Sequence, residues 1–249
     1  MLLLHFKKFK TIFFSFFVIL TICTACSTNP PAQKPDMGPI GKTTEATPNL
    51  PLNERMSSPP IHLYDMELIS ERVFESIMSE NWYEGRQAVV DLQERWKETI
   101  PFIGKTESAK GLEKSLTELK KAIKEEKKAD AYEALNKTSG SLGDIAKLYK
   151  LSPLSDIIGV SSNIRNVTYY VETQQWKPAA SKAKELESNW KQAKPGLEQA
   201  GILGEVTKTH SSISQLKDAV ETESIGAYKN HIKTINSSLN KIQLFYYGK

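Results

Sequence analysis

All four tryptophans of this chain fall into two pairs with one internal spacing. Trp82 and Trp96 are 14 residues apart, and so are Trp176 and Trp190; the second pair follows the first at an offset of 94. Leu92 and Leu186, Lys97 and Lys191, and Pro101 and Pro195 keep that offset. Farther along, Leu119-Lys120-Lys121-Ala122-Ile123 matches Leu216-Lys217-Asp218-Ala219-Val220 at 97, and Ala131-Tyr132 matches Ala227-Tyr228 at 96. The chain therefore carries two copies of a unit of about 95 residues, with small insertions absorbed in loops. Whatever it folds into must be a shape that one unit can adopt twice.

Each unit reads as helical. Met66, Ile69, Val73 and Ile77 recur at steps of three and four, as do Leu112, Leu116, Leu119 and Ile123. In the second unit the stripes are Ile157, Val160, Ile164, Val167 and Val171, then Ala183, Leu186 and Trp190, then Val206, Ile213, Leu216 and Val220, then Tyr228, Ile232, Ile235, Leu239 and Ile242. These are the apolar faces of amphipathic helices, and strand-like alternation is missing. Ser152-Pro153 reads as an N-cap with Pro at the first helical position, and Pro178 falls in a first turn. Pro101 and Pro195 are expected to end or kink the Trp-bearing helices, and Gly104 and Gly201 mark the loops that follow. The expected fold is all-α: two tandem helical repeats of about four helices each, 61–150 and 151–249, forming bundles rather than a solenoid of short repeats.

The region before the repeats has a different character. Lys7, Lys8 and Lys10 precede the apolar run from Ile12 to Ile22, which is shorter than the ~20 residues that span a bilayer. Thr24-Ala25-Cys26 then places small residues before a Cys. This resembles the lipobox of bacterial lipoproteins, with Cys23 standing where Leu is usual. The resemblance implies a signal peptide over 1–25, cleavage before Cys26, and lipidation of its thiol with palmitate-type chains, leaving a diacylated Cys26, with or without N-acylation, as the new N-terminus. Two or more acyl chains anchor a protein stably to a membrane. The alternatives are cleavage after Ala25 by the ordinary signal peptidase and an uncleaved anchor. With Cys26 acylated no other Cys remains, so the helical part carries no disulfide.

Residues 26–60 hold eight of the twelve prolines and no apolar periodicity. They read as a disordered, semi-stiff tether, spanning roughly 30 Å as a coil and about 100 Å when extended. A docking motif for a partner is the other reading of the Pro-Pro pairs.

Charge and chemistry narrow the function classes. The chain has 33 basic and 29 acidic residues, but three of the bases belong to the leader, which has no acid. The remaining balance of +1 lacks the basic excess of a nucleic-acid binder. No zinc-protease, nucleophile-elbow, phosphate-loop or dinucleotide motif occurs, and no Glu lies three residues before a His. His62, at the tether boundary, is expected to be solvated. On antiparallel helices that meet near residues 222–224, His210 and His231 would differ in height by roughly 10 Å, too far for one zinc ion. Each is expected to be a hydrogen-bonded structural residue. Glu67, Glu71 and Glu75 read as solvated faces, and the run from Lys120 to Lys128 as an exposed helix end.

Fourteen residues place paired tryptophans on one face about 21 Å apart. They are expected to anchor a bundle core, with indole N–H groups reaching polar neighbours. Trp82 and Trp176 are the residues that would form a partner-facing aromatic platform. The Trp-bearing helix followed by a polar helical pair resembles small helical proteins anchored to Firmicute membranes, a resemblance that implies no active site. The expected function is a non-catalytic binding or scaffolding lipoprotein on the extracytoplasmic face of the cell membrane, with no cofactor. Its expected partners are the membrane itself and an envelope protein or cell-wall component. The competing expectation is a metal- or haem-binding bundle using His210 or His231.

Overall fold

The computed structural model describes residues 59–198 and 202–247. The expected signal peptide, Cys26, most of the tether and Gly201 lie outside the described residues. Eight helices follow one another: α1 Ile61–Met78, α2 Trp82–Ile103, α3 Glu107–Lys124, α4 Lys128–Ala146, α5 Leu154–Glu172, α6 Trp176–Glu198, α7 Leu203–Glu221 and α8 Ile225–Tyr247. No strand occurs among the described residues. Each helix packs against the next, and α4 returns to α1, which closes an up-down four-helix bundle. Helices α5–α8 repeat the order, but α8 touches α5 at only a few residues.

The turns expose a second level of repetition that the tryptophans do not report. Helices α1, α3, α5 and α7 all end in the same way. Glu80, Glu126, Gln174 and Glu223 sit in the left-handed region, at φ of 56°, 58°, 59° and 53°. The next residue's N–H then donates back five residues: Asn81 to Ser76 O at 2.9 Å, Lys127 to Ala122 O at 3.1 Å, Gln175 to Tyr170 O at 2.7 Å and Ser224 to Ala219 O at 2.8 Å. This is a Schellman turn with Glu or Gln at the position where Gly is usual. Each is preceded at three residues by a buried Ile or Val: Ile77, Ile123, Val171 and Val220. The chain is thus four similar helical hairpins, taken two at a time.

These turns also fix the register. Glu126 and Glu223 are equivalent, so the offset in the last hairpin is 97. Ala131 then corresponds to Tyr228, both buried, and the Ala-Tyr match at 96 is one residue out of step. The Trp-helix match at 94 holds: Leu92 and Leu186, Val89 and Ala183, and Trp96 and Trp190 are buried pairwise.

Two apolar cores result. The first gathers α1–α4, and the second gathers α6–α8 with Ile157, Val160, Ile164, Val167 and Val171 of α5. Helix α5 serves both, because its Leu154, Ile158 and Tyr169 pack into the first core. The Tyr169 ring stacks on Tyr132 of α4 with centroids 3.6 Å apart, and the Tyr132 hydroxyl donates to Asn166 Oδ1.

Several local expectations change. Pro101 and Pro195 do not end their helices, which run on to Ile103 and Glu198. Each Pro forgoes one hydrogen bond to the carbonyl four residues earlier, and the helix continues past it. Gly104, with φ of 73°, stops α2. Helix α5 begins at Leu154, one residue later than Pro153 at the first position implies, yet Ser152 Oγ still accepts the Leu154 N–H at 3.2 Å. The indole Nε1 atoms of Trp96 and Trp190 are buried without any hydrogen-bond partner, against the expectation of polar neighbours. That the same atom is unpaired at the same repeat position shows it to be a property of the packing.

Candidate functional site

Helix α5 is flanked by α1 on one side and α8 on the other, and between them runs a groove. Its end nearest Met78 holds about 340 Å³ and its end nearest Gln243 about 160 Å³. Glu71 and Glu75 of α1, Ile164 of α5 and Asn236 of α8 line both parts. Thr168, Glu172 and Lys229 line the wider part. Two other hollows lie within single hairpins, α1–α2 and α3–α4, and are lined by exposed charges that pair with one another.

One buried arginine lies at the floor of the groove. Arg165 points from α5 into the junction of α1 and α4 and is 1% exposed. Its Nη1 donates to Glu67 Oε1 at 2.9 Å and to Glu71 Oε2 at 3.2 Å; its Nη2 donates to Ser139 Oγ of α4 at 3.0 Å. A buried guanidinium must keep such partners, since removing water from a charge costs several kcal/mol. Glu67 is 2% exposed, which overturns its reading as part of a solvated face. Burial pushes its carboxyl up from the usual value, against the pull of Arg165. Glu67 Oε2 and Arg165 Nε remain unpartnered. Glu71 is 39% exposed and bridges the buried pair to the groove. Glu75 is also raised, by burial first and then by the charge of Glu71.

The walls are consequently acidic. Glu71, Glu75 and Glu172 face Lys229, while the charge of Arg165 is already matched by Glu67 and Glu71. Such a surface can attract a cationic or hydrogen-bonding side chain. Glu67 itself lies behind the floor and is closed to solvent.

No family model, no curated protein and no solved structure matches this chain. The groove must be read from its own residues.

The sequence-derived candidates fall elsewhere. Trp82 and Trp176 each open a helix after a Schellman turn. They are half-buried against the first and second cores, at equivalent positions outside the groove. Cys26 lies outside the described residues. His62 is not freely solvated: it is 28% exposed, with Nδ1 3.5 Å from Asp65 and 3.7 Å from Glu98. His210 is half-buried and its Nδ1 has no partner, against the expectation of a hydrogen-bonded ring. Among the described residues no three His, Cys, Asp or Glu side chains gather as a metal site. The residue missed in the sequence is Arg165. Its signal was the repeat itself, because the position 94 residues earlier is the acidic Glu71.

Proposed function

We propose that this protein is an extracytoplasmic lipoprotein, held to the cell membrane by acylated Cys26, whose helical bundles bind or scaffold a partner without catalysing a reaction. The observation that carries the anchor is Thr24-Ala25-Cys26 directly after a short apolar run with a basic start. The Pro-rich stretch that follows is a leash between the anchored Cys and the bundles. Binding is supported by the acidic groove beside α5, lined by Glu71, Glu75, Glu172 and Asn236. The partner it suits is an envelope protein or cell-wall component presenting a cationic group.

Metabolic labelling with a palmitate analogue tests the anchor. The parent should take up label and fractionate with membranes. Cys26→Ala should lose the label and either leave the membrane or persist as unprocessed precursor. Undiminished labelling in that variant defeats the assignment. A photocrosslinker at Asn236, compared with one at Lys177, tests the groove in intact cells: a discrete adduct only from position 236 supports it.

A further inference from the structure

The two ends of the helical stack differ in chemistry. Short connections between antiparallel helices place every other turn at one pole. The four Schellman turns share one pole and are polar throughout: Ser79-Glu80-Asn81, Glu125-Glu126-Lys127, Thr173-Gln174-Gln175 and Thr222-Glu223-Ser224.

The opposite pole holds the start of α1, the end of α2, the α4–α5 connection, the start of α7 and the end of α8. Side-chain contacts tie these together. The Tyr64 and Ser152 hydroxyls hydrogen-bond at 2.9 Å, His62 approaches Glu98, and Lys241 donates to Glu205 at 2.8 Å. Of the nine large apolar side chains exposed among the described residues, six belong to this pole: Ile61, Phe102, Leu151, Leu203, Leu244 and Phe245. Phe102 is 71% exposed, Leu151 69% and Leu203 57%. Exposed Lys105 and Lys150 stand beside Phe102 and Leu151. Tyr83 and Ile225 are the counterparts at the polar pole. Apolar tips with lysines beside them suit the boundary between lipid headgroups and acyl chains, where rings bury and ammonium groups meet phosphate.

The chain enters the bundles beside these tips. Pro59 and Pro60 lead into α1 at this same pole, and Cys26 is 33 residues before Pro59. The leash joins the bundles at this pole, so this end is the one nearer the anchor, and the apolar tips supply the contact that the leash alone does not. We infer that the pole bearing Phe102, Leu151, Leu203 and Phe245 rests on the lipid surface, so that the bundles stand upright with their Schellman turns farthest from the membrane. This rests on acylation at Cys26. A protein anchored through lipid alone would leave its bundles free to tumble; a second apolar contact would set the groove beside α5 along the membrane normal, its Gln243 end toward the lipid and its Met78 end away from it.

The test uses the mature full-length chain reconstituted in vesicles of phosphatidylglycerol and phosphatidylethanolamine. With Cys26 acylated, a Cys introduced at Lys105 or Lys177 is the single free thiol and takes a nitroxide label. Accessibility to a water-soluble nickel chelate is compared with accessibility to oxygen, which partitions into lipid. The label at 105 should be shielded from nickel and exposed to oxygen, and the label at 177 the reverse. Replacing Phe102, Leu151, Leu203 and Phe245 together by Ser should abolish the difference. Equal nickel access at both sites overturns the proposal. Shielding at 105 that disappears when the protein is diluted in the membrane also overturns it, since that pole would then meet a second copy. The mass of the same preparation reports acylation separately, so loss of the anchor is not confused with loss of pole contact.

Discussion

Glu71 and Arg165 stand at the same position of the repeat, 94 residues apart, and meet carboxylate to guanidinium at 3.2 Å across the seam between the two bundles. Copies of one helix have diverged to opposite charges and now hold each other. Glu67 and Ser139 complete the set, so α1, α4 and α5 are locked in register by a single buried side chain. The groove lies beside this cluster: α5 meets both α1 and α8 at only a few residues, which leaves the space between them open.

Breaking that lock should be costly. Arg165→Ala leaves Glu67 buried without its cation, and the expected loss is about 3–5 kcal/mol in urea unfolding. Glu67→Gln should lose clearly less, because Glu71 still faces the guanidinium. The double variant Arg165→Met with Glu67→Met should recover most of the loss, as apolar replacement of a buried pair often does. A double variant as unstable as Arg165→Ala would show that the ion pair itself stabilises the seam.

The left-handed turn residues offer stabilising substitutions. A non-Gly residue in this conformation costs about 1–2 kcal/mol, partly offset by the greater unfolded-state freedom of Gly. Gln174→Gly and Glu223→Gly should each raise stability by about 0.5–1 kcal/mol. Glu80→Gly and Glu126→Gly should gain less, because Glu80 pairs with Lys128 and Glu126 with Arg86. The shift in urea midpoint at constant slope measures each.

The unpaired indoles predict an unusual tolerance. Trp190→Ala should cost about 3–5 kcal/mol through the cavity it opens. Trp190→Phe should cost far less, because no hydrogen bond of Nε1 is lost. The same ordering is expected at Trp96. Unfolding curves of the four variants compare the two sites directly.

Acid titration should separate two carboxylates of opposite behaviour. The hydrogen bond from Lys217 holds Glu187 below the usual 4.5. Its contribution is therefore present above 4.5 and disappears as pH falls through its lower folded value. Glu187→Gln should be less stable than the parent at neutral pH, and the gap should close in acid. Glu75 is displaced upward by burial and by Glu71. Its ionisation opposes folding as pH rises through that higher value, so Glu75→Gln should be more stable than the parent at neutral pH. The two gaps, measured by urea unfolding across pH, should have opposite signs.

Much of the fold was legible because apolar spacing and the tryptophan pairs are local or periodic signals. The stripes from Met66 to Ile77 and from Ile157 to Val171 are buried as their spacing implies. The hairpin-level repeat was harder to see, since its marker is one apolar residue three positions before a Glu or Gln. The groove was not legible at all. Glu67, Glu71 and Glu75 lie at steps of four, and nothing in that spacing distinguishes a carboxylate facing water from one facing Arg165.

Composition and periodicity alone dictated eight amphipathic helices in a duplicated order, because each helix must bury one stripe whatever lies beside it. Which copy of a polar position was drawn inside depended on neighbours from 26 to 98 residues away. A charge is buried only where its counter-charge arrives, and that meeting is settled by how the bundles pack.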